Sequence, residues 1–91
     1  MSNNVEFSPE KIPMADEIAG HISRVFDSVN FCNEHIRAGV KNEHIKERVK
    51  ANMDHITGML TREWILDNLT EQENAEINST IAASEAFIYS H

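Results

Sequence analysis

A chain of 91 residues, with 41% hydrophobic residues and a formal net charge of −7, is long enough for one domain and too short for two. The small numbers of proline (2) and glycine (3) argue against a loop-rich or disordered protein. The negative charge argues against general nucleic-acid binding. No apolar run approaches the roughly 18 residues of a membrane span, and the polar first residues predict no signal peptide. The single cysteine cannot form an internal disulfide, which is typical of a protein from a reducing cytoplasm.

Apolar spacing predicts one all-α domain over residues 1–91. From Ala15 to Ile36 the apolar residues follow alternating steps of three and four, which is the heptad pattern of a coiled-coil-like seam. The short connection to the next helix predicts antiparallel neighbours. The sequence therefore predicts an antiparallel helical hairpin with a third packed helix, a three-helix bundle that forms oligomers. The predicted segments are an N-terminal arm (1–12) and helices over 13–37, 42–67 and 70–89.

Local signals mark the ends of these helices. Gly39 can adopt the left-handed conformation that ends the first helix. Asn42 is a suitable N-cap for the second helix. Thr70 followed by Glu73 fits a capping box at the start of the third helix.

The heptad frame predicts an apolar side next to the seam. Val25 and Ile56 fall at facing seam positions, and Phe26, Met53 and Leu60 fall at e positions on one side. Leaving such side chains in water costs about 1.5–3 kcal/mol each, so the third helix is predicted to dock on the e side. The residues predicted to make this contact are Ile77, Ile81 and Ile88, and Trp64 is predicted on the same side, one turn beyond Leu60.

The other side of the predicted seam, at the g positions, is polar and mostly cationic. No acidic residue occupies a g position to neutralise these groups. Two interpretations stay open: a solvated flank that acids of the third helix or a neighbouring subunit cover, and a groove for an anion such as a nucleotide, a phosphate or an acidic partner segment. The candidate residues are His21, His35, Lys41, His44, Arg48, His55 and Arg62. The acids that could cover them are Glu73, Glu76 and Glu85.

The sequence offers little for metal binding or catalysis. His44 and His55 are three helical turns apart, about 16 Å along a helix, and so cannot share an ion. Cys32 falls at a d position, where it packs as a small hydrophobe. No nucleophile, acid–base pair or glycine-rich phosphate loop is recognisable. The chain is therefore predicted to be non-enzymatic and to use no metal or cofactor.

Three aromatic residues are predicted as partner contacts. Phe31 falls at a c position, opposite the seam, while Phe87 and Tyr89 belong to a stretch that covers most of the circumference of the third helix. With a thin core, exposed aromatic residues favour contacts with another copy or another protein. Residues 63–91 also carry six acids and no base, whereas residues 37–62 carry six bases and three acids. Such charge segregation favours pairing within the fold or across an oligomer.

One set of helix-packing residues carries a family resemblance. The set consists of Arg48, Val49, Asn52, His55, Ile56, Met59, Leu60 and Trp64, followed by the run Ile-Ala-Ala-Ser-Glu-Ala-Phe-Ile at 81–88. With these residues, the chain over 40–90 resembles small helical proteins of tailed bacteriophages. The resemblance implies a viral protein made in the cytoplasm of a bacterial host, which can also end in the virion.

Together, these observations lead to two functional hypotheses. The first is a structural, assembly or adaptor module of a phage that acts through oligomerisation. The alternative is a host-defence antagonist that binds a nucleotide-like anion or an acidic protein surface through the cationic g-position groove. Neither hypothesis involves a membrane.

Overall fold

The computed structural model describes residues 11–90, which form four α-helices and no strand. The all-α prediction is therefore confirmed. The described part of the chain is elongated, with principal extents of 55 × 27 × 18 Å. Most of the predicted N-terminal arm, residues 1–10, lies outside the described residues. The helices are α1 (Ala15–Ala38), α2 (Glu43–Met59), α3 (Glu63–Leu66) and α4 (Glu71–Tyr89).

The predicted helix caps are present. Gly39 has a φ of 76°, in the left-handed region, and its N–H donates to a carbonyl in the last turn of α1. Asn42 Oδ1 accepts from Ile45 N at 2.8 Å. At the start of α4, Thr70 Oγ1 accepts from Glu73 N at 3.0 Å, and Glu73 Oε1 accepts from Thr70 N at 2.9 Å. These bonds satisfy backbone groups at helix ends and fix where the chain turns.

α1 and α2 pack against each other along the predicted seam. Val25 and Ile56 are fully buried and share one core cluster. Nearer the turn, Cys32 Sγ lies 3.7 Å from Val49 O, and both residues are fully buried. Because later residues of α1 meet earlier residues of α2, the two helices run in opposite directions.

α4 packs on the apolar e side of the hairpin, as the heptad frame predicts. Ile77 is fully buried in the cluster of the central seam, and Phe26 and Leu60 pack against that cluster. Thr80 is 3% exposed, and its hydroxyl donates to Asn33 Oδ1 at 3.1 Å. The partly buried residues that join these clusters include Ile81 and Ile88. α4 therefore covers one side of the hairpin, and no helix among residues 11–90 covers the opposite side.

The prediction of one continuous second helix over 42–67 is wrong for the last third of that range. α2 ends at Met59, and α3 follows a turn in which Arg62 has an extended backbone (φ −95°, ψ 120°). A continuous helix would place Trp64 at a b position and Ile65 at a c position, and both positions face away from α1. The turn resolves this conflict, because Trp64 and Ile65 are both buried against the start of α1.

Cys32 provides a first test of this packing. It is fully buried, and burial raises the pKa of its thiol above the ordinary value of 9.0. Folding therefore favours the protonated thiol. The stabilisation that this preference adds to the free energy of unfolding is complete below pH 9.0 and is lost as the pH rises above that value. Urea unfolding on both sides of this pH should therefore show a flatter alkaline decline for Cys32→Ala, which has no thiol to ionise. Equal declines for the two proteins would contradict the burial.

Candidate interaction surface

The side of the hairpin opposite α4 carries most of the predicted cationic residues. We call this surface the basic flank. Its residues form three neighbourhoods along the hairpin, which differ in their aromatic and acidic content. The basic flank consists of His21, Arg24, His35, Arg48, His55 and Arg62.

Near the turn, Phe31 joins two of the predicted site residues. The guanidinium carbon of Arg48 lies 5.3 Å from the centroid of the Phe31 ring. The His35 ring stacks on the same phenyl group, with the centroids 4.1 Å apart and the planes at 26°. His35 Nδ1 lies 3.0 Å from Phe31 O, and because a carbonyl oxygen only accepts, Nδ1 carries the proton. His35 and Arg48 thus lie on one side of the hairpin, as the heptad frame predicts.

Further along the hairpin, α1 and α2 line a shallow groove of about 340 Å³. Arg24 and His55 bring cationic or protonatable groups to it from the two helices, and Asp27 brings one carboxylate. Asp27 falls at an f position, so the pattern of g positions does not predict its place in the groove. The remaining lining residues are Ser28, Ala51 and Asn52. The small side chains among them leave room for a side chain of a partner.

At the far end of the flank, Trp64 contacts the remaining cationic residues. Its ring centroid lies 5.5 Å from that of His21 and 5.9 Å from the guanidinium carbon of Arg62. Arg24 Nη2 donates to His21 Nδ1 at 3.0 Å. The prediction that Trp64 lies on the e side is wrong, because the turn after α2 carries it to His21 at a g position. Its indole Nε1 is buried, with no hydrogen-bond partner among residues 11–90.

Two predicted site residues do not join these neighbourhoods. Lys41 lines a different groove, of about 450 Å³, together with Ile36 of α1 and Ala83 of α4. Its prediction as a g-position residue of the second helix is wrong, because α2 begins only at Glu43 and its heptad frame does not extend to Lys41. His44 is exposed in the first turn of α2, and its role stays a prediction.

The predicted aromatic partner contacts divide into buried and exposed residues. Phe87 is 4% exposed and packs with Cys32 and Val49, so its assignment as a contact for a partner is wrong. Phe31 is half-buried against the same cluster, and its predicted position opposite the seam is also wrong. Tyr89, at the end of α4, is 69% exposed and stays available to a partner.

The outer face of α4 is acidic and made of small residues. Glu76 and Glu85 are exposed, and at 100° per residue they lie about 180° apart around the helix axis. Glu73 accepts the N–H of Thr70 and so caps its own helix. Because α4 lies on the e side, none of these three acids forms a salt bridge with the flank within residues 11–90. The exposed small residues between Glu76 and Glu85 on the helix surface are Ala75, Ser79, Ala82 and Ala86.

The described residues offer no further chemical site. No group of three or more histidine, cysteine, aspartate or glutamate residues in 11–90 could hold a metal ion. Within the same residues, no helix combines the length and apolar character needed to cross a membrane.

Comparisons with known proteins found no relative of this chain. No protein-family model, curated protein or solved structure matches the chain. The resemblance to small phage proteins therefore stays a prediction.

Proposed function

We propose that this protein is a non-enzymatic assembly module, in which the basic flank of one copy binds the outer face of α4 in the next copy. One observation carries the proposal: within residues 11–90, Arg24, Arg48 and His55 form no salt bridge. Lys50 shows the contrast, since its Nζ lies 3.0 Å from Asp54 Oδ2. Glu76 and Glu85 of α4 form no salt bridge with the flank within residues 11–90, so the flank of another copy can bind them.

Charge favours this pairing over a symmetric contact between the α4 helices of two copies. Residues 63–91 contain six acids and no base, so two α4 helices packed face to face would bring carboxylates together. The flank supplies the opposite charge, and complementary potentials both attract partners and fix their register. The small residues on the outer face of α4 let another helix approach closely. The outer face of α4 therefore fits the basic flank of a second copy better than it fits the α4 helix of a second copy.

The proposed contact uses two different surfaces of each copy. Such a contact is heterologous, and repeated heterologous contacts close into a ring or extend into a filament. Either product suits a structural or assembly role, in agreement with the viral setting that the sequence resemblance implies. Tyr89 is exposed at the end of α4 and would extend the contact beyond the charged groups.

Charge reversal gives the experiment that tests this function. We expect Arg48→Glu and Glu76→Arg, each alone, to weaken self-association by about tenfold or more, because each brings like charges together across the interface. The double variant Arg48→Glu/Glu76→Arg, or an equivalent one with Glu85→Arg, should recover much of the association. Sedimentation velocity over a concentration series measures the dissociation constants, and circular dichroism checks that helicity is unchanged.

Glu34→Arg is the matched control. Glu34 is exposed on α1 and, unlike Asp27 one heptad earlier, does not line the groove of the flank. Glu34→Arg makes the same charge change as Glu76→Arg. It should associate at least as well as the parent chain. A parent chain that stays monomeric at every concentration would overturn the proposal. If nucleotides or phosphate raised the melting temperature of such a monomeric chain, and Arg48→Glu removed this effect, the anion-binding function would replace the assembly function.

A further inference from the structure

We infer that Phe31, His35 and Arg48 form a receptor for a glutamate carboxylate of α4 in the neighbouring copy. This inference rests on the proposed self-association and identifies the group that carries its specificity. The three side chains come from two helices and meet at one ring, so that the site exists before any partner arrives.

Arg48 is held in place without being neutralised. Its guanidinium lies over the Phe31 ring, and the attraction between a cation and a ring face restricts its movement. Within residues 11–90 no carboxylate lies within salt-bridge distance of it, although Lys50, on the same helix, is paired with Asp54. A guanidinium offers five N–H donors in a planar fork that matches both oxygens of a carboxylate. Arg48 is therefore an anion-binding group that has no carboxylate partner among residues 11–90.

His35 adds a second group of fixed orientation. Its ring is stacked on Phe31, and its Nδ1–H is used by the carbonyl oxygen of that residue. Only Nε2 is left for a ligand, and it presents a lone pair when the ring is neutral and an N–H donor when the ring is protonated. Because His35 and Arg48 both contact the Phe31 ring, Nε2 and the guanidinium can contact the same ligand.

Two carboxylates of α4 are suitable, since the other two, Glu71 and Glu73, lie in the first turn, where they stabilise the N-terminus of their own helix. Glu73 is engaged in the cap of its own helix, whereas Glu76 and Glu85 are exposed and have no hydrogen bond or salt bridge with residues 11–90. They border opposite sides of the small-residue face of α4. When that face lies along the flank, one of them points to α1 and the other to α2. Arg48, on α2, therefore receives one of these two carboxylates.

The test changes the shape of the cationic group at position 48 and conserves its charge. Arg48→Lys keeps the positive charge but loses the planar fork, and we expect it to weaken self-association by about tenfold. Arg37→Lys is the matched control, because Arg37 is an exposed arginine at the end of α1, outside the flank. Sedimentation velocity gives the dissociation constants, and urea unfolding shows whether each variant is as stable as the parent chain.

A double-mutant cycle identifies the carboxylate. We expect Arg48→Lys to have little further effect in either Glu76→Gln or Glu85→Gln, whichever removes the bound group. If the parent chain associates but Arg48→Lys binds as tightly as Arg37→Lys, the receptor is overturned while the assembly function stands. The receptor is also overturned if Arg48 couples to neither glutamate. If the parent chain is monomeric, the proposed function and this inference fail together.

Discussion

Ile56→Ala is expected to lower the free energy of unfolding by about 2–5 kcal/mol, the range for removing a large aliphatic side chain from a packed core. Ile56 is fully buried in the cluster where α1, α2 and α4 meet, together with Val25, Val29 and Ile77. A domain of this size is stabilised by only about 5–15 kcal/mol in total. The loss should therefore be visible as a large shift of the urea midpoint, measured by circular dichroism.

Ile12→Ala is the control for this substitution. Ile12 is 69% exposed, and its truncation should change the free energy of unfolding by no more than about 0.5 kcal/mol. Similar losses for the two variants would mean that the three helices do not meet at Ile56. The free energy of unfolding should depend equally steeply on urea concentration in both variants. This would show that Ile56→Ala changes the stability of the native state and not the compactness of the unfolded chain.

Trp64→Ala is expected to have an effect of similar or larger size, about 3–5 kcal/mol. Trp64 is 9% exposed, and with Ile65 it anchors α3 to the start of α1. Its indole Nε1 is buried without a hydrogen-bond partner among the described residues, and an unsatisfied buried donor costs about 1–3 kcal/mol.

Trp64→Phe should separate these two contributions. Phenylalanine keeps much of the apolar contact and removes the unsatisfied N–H, so its loss of stability should be well below that of Trp64→Ala. Urea unfolding followed by circular dichroism measures both variants, since neither retains a tryptophan for fluorescence. Equal losses for Phe and Ala would indicate that the indole N–H has a partner in the folded protein.

The sequence predicts the hairpin and the position of α4 because both depend on local and periodic signals. Gly39 and Thr70 act over a few residues, and each cap forms as predicted. Val25 and Ile56 belong to a regular heptad pattern, which defines a face without knowledge of the rest of the fold. The end of α2 at Met59 carries no such signal, since the burial of Trp64 on α1 decides it through a long-range contact.

The candidate surface was predictable only in part, for a related reason. Heptad positions give the direction of each Cα–Cβ bond, and so they place His35 and Arg48 on one side. They do not give the course of a long side chain. Phe31, at a c position, bends towards the core and places its ring between the g-position residues. Its part in the surface therefore became visible only in the structure.

The flank and the outer face of α4 lie on opposite sides of the same molecule, and this separation has a consequence for mixtures of intact and damaged copies. In the proposed assembly, a copy that has lost one surface would still present the other, so it would join a growing assembly but would not be followed by another copy. Small amounts of such a copy would stop growth at the point where they are added. A gene that encodes it would then act dominantly over the intact gene in the same cell.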